Sequence, residues 1–236
     1  ATEGASLVLC ARDAATLAET TASIADQTGA HVLAVPADVT DAQQVKNLVA
    51  SGIDRFGRID ILVTNAGGPP AGRFDQLTQE QWERATQLTL FSAVHLAREV
   101  LPGMKARHWG RILNITSIAV KHPVENLLLS NSLRAAVTGF ARTLANEVAT
   151  EGITVNNILP GYTRTERLEE LASMMAEKQG ISANEFRAKW EAEIPIGRLG
   201  EPREFAAVAA FLVSERASYI TGTSIQVDGG WIRSLF

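Results

Sequence analysis

Two periodicities of apolar residues alternate along the chain. Short apolar runs predict buried strands, and longer segments with an apolar residue every three or four positions predict amphipathic helices. The short runs predict strands at residues 6–10, 31–37, 59–64, 111–117, 153–159 and 224–227. The longer segments predict helices at residues 14–28, 42–56, 79–106, 127–150, 164–179, 183–193 and 202–213. Because strands alternate with helices, we expect an α/β fold with a doubly wound parallel sheet and helices on both faces.

Residues typical of helix ends support several of these boundaries. Gly29 is placed to stop the first helix, and Asp41 is placed to cap the second. Thr78 and Gln81 have the spacing of a capping box ahead of the long third helix. Pro202 suits the first turn of the last predicted helix, because an N–H at that position would have no intrahelical partner.

The segment from Gly110 to Gly161 is the centre of the pattern. It contains a strand that ends in Ser117, a loop, a long helix with one apolar stripe, and a second strand stopped by Pro160 and Gly161. In parallel α/β sheets, ligands bind beyond the carboxyl ends of the strands. Chemistry is therefore expected close to Ser117 and Gly161.

Composition excludes several classes of function. The net charge of −4 gives no basic footprint for nucleic acid. No apolar run approaches the roughly 20 residues that a membrane-spanning helix needs. Cys10 is the one cysteine and has no partner for an internal disulfide, which is typical of a reducing compartment. The histidines show no metal spacing, so we expect a cytoplasmic protein of one domain without a metal site.

Five motifs occur in one order and spacing along the whole chain. They lie at residues 38–39, 65–67, 110–117, 160–165 and 220–230. In this combination the chain resembles the short-chain dehydrogenase/reductase family, and within it the 3-oxoacyl-acyl-carrier-protein reductases. The resemblance implies a single Rossmann-like domain that binds NAD or NADP, with a small helical substrate lid at about 164–193. It also implies a homo-oligomer, either a dimer or a tetramer.

The resemblance assigns most of the cofactor site. The residues implied to contact the cofactor are Asp38, Val39, Asn65, Ala66, Gly67, Pro160, Gly161 and Thr165. Arg12 follows the strand at which the family distinguishes its two cofactors, and a guanidinium there suits the 2′-phosphate of NADP. Asp13 beside it would favour a free ribose hydroxyl, so we expect NADP and keep NAD as the alternative.

One family feature is absent from the sequence. No glycine-rich turn of the G-x-G-x-x-G type occurs, although such a turn receives the pyrophosphate at a helix N-terminus. The resemblance implies that residues 1–5 are the end of the first helix. We therefore expect the first β-α unit of the fold to lie upstream of Ala1.

The catalytic residues also depart from the family pattern. The resemblance implies a Tyr thirteen residues after Ser117 and a Lys four residues later, whereas this chain has Ser130 and Arg134. A serine hydroxyl is a much weaker acid than a phenol, and an arginine stays protonated. Thr89 replaces the family's Asn in the long helix. We predict Ser117, Ser130 and Arg134 as the catalytic group, with impaired proton transfer, and Arg134 as a possible ligand of ribose or an anionic substrate.

Other residues are candidates to replace the tyrosine. His122 lies in the loop after Ser117 and histidine is a common general acid, Tyr162 follows the implied nicotinamide loop, and Lys121 is expected to be a surface charge. Three functions stay open at this point. The first is an oxidoreductase acting on a carbonyl or an alcohol. The second is a cofactor-binding or scaffold protein without redox activity, and the third is a lyase or dehydratase on the same scaffold.

Overall fold

The computed structural model describes residues 1–235, apart from the side chain of Arg167. Its strands are β1 (Leu7–Ala11), β2 (Val32–Pro36), β3 (Ile61–Thr64), β4 (Gly110–Ile115), β5 (Ile153–Pro160) and β6 (Ser224–Val227). Its α-helices are α1 (Ala14–Thr28), α2 (Ala42–Phe56), α3 (Gln79–Thr86), α4 (Ser92–Ala106), α5 (Leu128–Val148), α6 (Glu166–Gln179), α7 (Ala183–Glu193) and α8 (Pro202–Leu212). The predicted alternation of strands and helices is confirmed.

All strand pairs are parallel, but the sheet is in two parts. Strands β1 and β2 form one part, and β3, β4, β5 and β6 follow one another in the other. The facing edges of β1 and β3 pair with no other strand among residues 1–235. A cleft of about 2060 Å³ separates them, and residues of α2, α4 and α8 also line it.

The long third helix is not regular. The predicted helix at 79–106 contains a π-helical turn, Gln87–Phe91, between α3 and α4. The amide of Ser92 donates to the carbonyl of Gln87, which widens the helix by one residue at this point. Periodicity does not detect such a turn, because the apolar positions on both sides of it stay about one helical turn apart.

Several boundaries differ by one or two residues from the sequence-based expectation; β4, for example, ends at Ile115 and not at Ser117. Pro160 does not stop β5 but is its last residue, paired with Val227 of β6. The strand can include it because only the N–H of its final residue is lost, while Gly161 still donates to the carbonyl of Val227 at 3.0 Å. The helix predicted at 127–150 ends at Val148, and a short 3₁₀ turn, Ala149–Glu151, replaces its last turn.

The caps follow the sequence signals. Asp41 accepts hydrogen bonds from the amides at the start of α2, Gly29 ends α1 with φ of 69°, and Thr78 and Gln81 form the capping box. Pro202 lies in the first turn of α8. Within residues 1–235, no helix is long and apolar enough to cross a membrane.

The main core lies between the four-stranded part of the sheet and helices α4 and α5. Ile112 and Val155 of the central strands contact Val100 of α4 and Leu144 of α5, and all four are buried. A separate apolar cluster holds α6 and α7 together around Trp190. The main core therefore fixes the strands, and the predicted lid has a separate apolar core of its own.

Candidate active site at the carboxyl ends of the strands

A ladder of polar side chains crosses the sheet close to the strand ends. Thr64 donates through Oγ1 to Oδ1 of Asn114 at 2.8 Å, and Asn114 donates through Nδ2 to Oδ1 of Asn157 at 3.2 Å. Asn157 in turn donates to Oγ of Ser224 at 3.1 Å. These residues are neighbours in the strand register, so the ladder ties β3, β4, β5 and β6 together. Paired buried amides hold the strand ends in one alignment.

Ser117 lies two residues beyond the end of β4, whereas the sequence predicts a strand that includes it. Its Oγ accepts a hydrogen bond from the amide of Ala119 at 3.1 Å, and it caps the short turn Ile118–Val120. The side chain is half-buried. Because Oγ is the acceptor in this contact, its own hydrogen remains available to a ligand at the carboxyl end of the sheet.

Arg134 reaches from α5 to the end of β4. Its Nη1 donates to the carbonyl of Ile115 at 3.0 Å and to the carbonyl of Thr116 at 2.7 Å. Ser130 lies one helical turn before Arg134, so the two side chains share a face of α5. The structure therefore brings Arg134 to the backbone that immediately precedes Ser117.

Lys121 is not the surface charge that the sequence suggests. Its Nζ donates to Oε1 of Gln226 on β6 at 2.7 Å, and the side chain is partly buried. The contact forms because the loop after β4 passes over the end of β6, which lies 105 residues further along the chain. His122 is exposed and contacts the ring of Trp231 edge-on, with 5.5 Å between ring centroids.

Tyr162 is a packed aromatic residue. Its ring stacks on Trp190 of α7 at 5.2 Å and meets Trp231 edge-on at 6.0 Å between centroids. Burial raises the pKa of its phenol, and the nearby carboxylate of Glu193 raises it further. This environment favours the neutral phenol. Sequence reasoning missed Trp231, although the preceding motif at 228–230 points to that loop.

Gly161 marks a close approach between the ends of β5 and β6. A Cβ at this position would lie 2.7 Å from both Cα and Cβ of Asp228. The Asp228 carboxylate accepts from the amides of Gly230 and Ile232, each at 2.9 Å, which holds this loop in place. Thr165, the last residue of the same motif, caps α6 by accepting from the amide of Leu168 at 3.3 Å.

Six of the predicted cofactor residues lie along the cleft between the two parts of the sheet. The Asp38 carboxylate accepts from the amide of Thr40 at 2.9 Å and from its hydroxyl at 2.8 Å. Those bonds lower the pKa of Asp38, and the charge of Arg12 lowers it further. An exposed guanidinium and an ionised carboxylate at one edge suit a phosphate and an amino group, so these residues fit a nucleotide. The six are Arg12, Asp38, Val39, Asn65, Ala66 and Gly67.

The other three lie elsewhere. Pro160 is the last residue of β5 and Gly161 and Thr165 follow it, on the four-stranded part of the sheet, and the three do not line the cleft. Among residues 1–235, no group of three or more His, Cys, Asp or Glu side chains could hold a metal ion.

Comparison with known proteins identifies the family. A family profile described as enoyl-(acyl carrier protein) reductase matches residues 1–232. The chain is 37% identical over 193 residues to the 3-oxoacyl-[acyl-carrier-protein] reductase FabG of Haemophilus influenzae, covering 82% of this chain and 75% of that protein. The match agrees with the motifs from Asp38 to Gly230.

Two solved structures resemble this one closely. L-sorbose reductase from Gluconobacter frateurii, in complex with NADPH and L-sorbose, has 36% identity and a TM-score of 0.95 over 99% of this chain and 89% of that one. A short chain oxidoreductase from Pseudomonas aeruginosa PAO1, bound to NADPH and described as containing an atypical catalytic center, has 32% identity. Its TM-score is 0.86 over 98% of this chain and 88% of that one. The chain belongs to the short-chain dehydrogenase/reductase family.

Proposed function

We propose that the protein is an NADP-dependent oxidoreductase that interconverts a carbonyl and an alcohol in a small molecule, with 3-oxoacyl-acyl-carrier-protein reductase-like substrates as the first candidates. The observation that supports this proposal is that Ser117 lies beyond the carboxyl end of β4, in the same sheet as several of the predicted cofactor residues. The relatives are named as reductases, which favours redox chemistry over a scaffold role. The lone half-buried Cys10 is in keeping with a cytoplasmic enzyme.

The cofactor residues act in two groups. Arg12 binds the 2′-phosphate, Asp38 accepts the adenine amino group and Val39 packs on the adenine, while residues 65–67 approach the adjacent ribose. Pro160, Gly161 and Thr165 hold the nicotinamide carboxamide and a nearby phosphate. When bound, NADPH supplies the hydride. With NAD, Arg12 would have no phosphate to neutralise, so we expect weaker binding of NAD.

Ser117 and Ser130 handle the substrate oxygen. The hydroxyl of Ser117 donates a hydrogen bond to the carbonyl oxygen, and Ser130 gives its proton to the alkoxide that develops there. Arg134 moves no proton, because its guanidinium stays charged; it holds the carbonyls of Ile115 and Thr116. Because a serine is a weak acid, we expect proton transfer to be the step that limits turnover, and cofactor binding to be unaffected.

Proton donors other than Ser130 are less well placed. Tyr162 is stacked within the lid and its pKa is raised, and Lys121 is engaged with Gln226. His122 is exposed and close to Trp231, so among these three candidates it is the donor that solvent can recharge. The substitution His122→Gln separates Ser130 from His122 as the proton donor. It should lower kcat only if His122 donates the proton.

We also propose that a further parallel strand and helix fill the cleft in the cofactor-binding form. The facing edges of β1 and β3 are both unpaired within the described chain, and Val63 on β3 is 47% exposed. A glycine-rich turn after such a strand would meet the pyrophosphate beside Arg12 and Asn65. A chain extended by a strand, a glycine-rich turn and a helix should bind NADPH much more tightly than residues 1–236 alone. Equal affinity would contradict this proposal.

The helices α6 and α7 are proposed as the substrate lid. Phe186 and Trp190 are buried in the lid's own core, so they pack rather than cover a substrate. Leu171 and Met174 are 40% and 50% exposed and offer an apolar face. An acyl chain suits that face. A substrate with a shorter acyl chain should therefore have a higher KM.

A homo-oligomer completes the proposal. Phe91, at the end of the π turn, is 38% exposed, and α5 presents the small residues Ala135, Ala136 and Gly139 to solvent. Two such faces can approach closely and bury apolar area between copies. Light scattering on the extended chain should give a dimer or a tetramer, and a monomer would contradict this part.

The function is tested by NADPH oxidation against a panel of 3-oxoacyl esters, diketones and keto sugars. The extended chain should turn over at least one class, and NADH should be the poorer cofactor. Tight NADPH binding without turnover across the panel would favour the scaffold alternative.

A further inference from the structure

A small cavity lies behind the strand end that carries Ser117. It is bounded by the π turn of the third helix, the end of β4 and the middle of α5, and its volume is about 10 Å³. That volume is about what one water molecule needs. Thr89, Thr116 and Arg134 are among the residues that line it.

Two hydroxyls in this lining lack a partner. Within residues 1–235, Thr89 Oγ1 and Thr116 Oγ1 are buried and have no hydrogen-bond partner. The two residues are only 8% and 3% exposed, respectively. Buried hydroxyls are paired in almost all proteins, by protein groups or by ordered water, so a pair of them on one cavity points to a shared ligand.

The cavity is polar enough to be hydrated. Apolar cavities stay dry, whereas Thr89, Thr116 and Arg134 are among the residues that line this one. We propose that the cavity binds one water molecule, which bridges Thr89 Oγ1 and Thr116 Oγ1. A hydroxyl can donate or accept, so a single water can satisfy both residues.

The water would connect two elements that meet at the site. Thr89 belongs to the π turn, and Thr116 immediately precedes Ser117, with its amide donating to the carbonyl of Ile158 at 3.0 Å. Thr89 and Thr116 are then positioning residues, which act on the reaction through the placement of Ser117. This role rests on the proposed function, whereas the water site itself does not.

A crystal structure of the protein tests the water directly. Electron density should appear about 2.7–3.2 Å from both threonine hydroxyls. An ordered cavity with no density between the hydroxyls, at a resolution that shows other buried waters, would overturn the proposal.

The sign of a melting-temperature change gives a second test. If a water bridges the hydroxyls, Thr89→Val removes one of its two bonds and places a methyl group against it, and Tm should fall by about 2–4 °C. If no water is bound, the same substitution removes an unpaired buried hydroxyl, and Tm should rise or stay the same. Thr89→Ser keeps the hydroxyl and is the matched control. In the double variant Thr89→Val with Thr116→Val, Tm should fall by less than the sum of the two decreases in the single variants.

Activity separates the positioning role from the water site. In an active enzyme, Thr89→Val should lower kcat several-fold while the KM for NADPH stays unchanged, and Thr89→Ser should restore kcat. An unchanged kcat in Thr89→Val would overturn the positioning role. A wild type without turnover would overturn the proposed function, while the density and the melting temperature would still decide the water site.

Discussion

Nη1 of Arg134 donates a hydrogen bond of 2.7 Å to the carbonyl oxygen of Thr116, the residue before Ser117. The same nitrogen donates to the carbonyl of Ile115 at 3.0 Å. A guanidinium can bind two carbonyls at once, whereas an ammonium on a shorter stem is a point donor. In a family member with lysine at this position, the side chain would shuttle protons. In this protein, Arg134 instead supports the backbone before Ser117.

Arg134→Lys is consequently not a conservative change. We expect it to lower the free energy of unfolding by about 1–2 kcal/mol, because at least one carbonyl loses its charged donor. Urea denaturation measures this directly. The control is Arg142→Lys. The guanidinium of Arg142 donates to the carbonyl of Gly222 at an exposed site, so this substitution should lower the free energy of unfolding by less than about 0.5 kcal/mol. Equal losses in the two variants would contradict the supporting role of Arg134.

Ser130→Tyr combined with Arg134→Lys should raise turnover. The pair restores a phenol, which is a stronger acid than a serine, together with a lysine that can lower its pKa. The double variant should show a kcat at least tenfold above wild type, measured by NADPH oxidation. Each single variant should gain less, since neither contains both groups. A double variant no faster than wild type would mean that proton transfer does not limit the reaction.

Gly161→Ala should disrupt the meeting of β5 and β6. The added methyl group would lie 2.7 Å from the backbone of Asp228, which cannot move away without displacing the loop it fixes. We expect a loss of about 1–3 kcal/mol in the free energy of unfolding and weaker NADPH binding. Gly200→Ala is the matched control, because its methyl group would meet Tyr162 O at an ordinary 3.6 Å. A mild effect at Gly161 would argue against this tight approach.

Asp38 gives the protein a defined response to acid. Its bonds with Thr40 and the charge of Arg12 place its folded-state pKa below the unfolded value of about 3.9. The carboxylate therefore stabilises the fold above that value, and the stabilisation is lost as the pH falls through the folded-state pKa. At pH 6 the free energy of unfolding of the wild type, measured by urea denaturation, should be larger than that of Asp38→Asn. This difference should vanish at low pH. A difference that is the same at pH 3 and pH 6 would contradict this assignment.

Local chemistry made much of the fold predictable. The caps at Asp41, Gly29 and Thr78 use side chains or glycines within a few residues of the helix end, so the sequence alone indicates them. The ends of β4 and β5 were predictable to within two residues for a similar reason, because polar residues follow one apolar run and Pro160 with Gly161 follows the other. Arg134 is a candidate because it stands where the resemblance implies the family's lysine, although the resemblance does not indicate its contacts.

Long-range contacts account for what the sequence did not reveal. Lys121 binds Gln226 and Trp231 contacts Tyr162, and both pairs are distant in sequence. Thr116 was overlooked because its importance depends on a cavity formed with Thr89 of another element. The π turn that carries Thr89 has no signature in the apolar pattern, since one extra residue per turn leaves the amphipathic stripe almost unchanged.

The central claim is that Ser117 acts on a substrate carbonyl beside a bound nicotinamide. The most direct measurement is the rate of NADPH oxidation by the protein and by its Ser117→Ala variant, with the Kd for NADPH determined for both. The account predicts that the substitution lowers kcat by about a hundredfold or more, while the Kd for NADPH is unchanged. Equal turnover in the two proteins would contradict it.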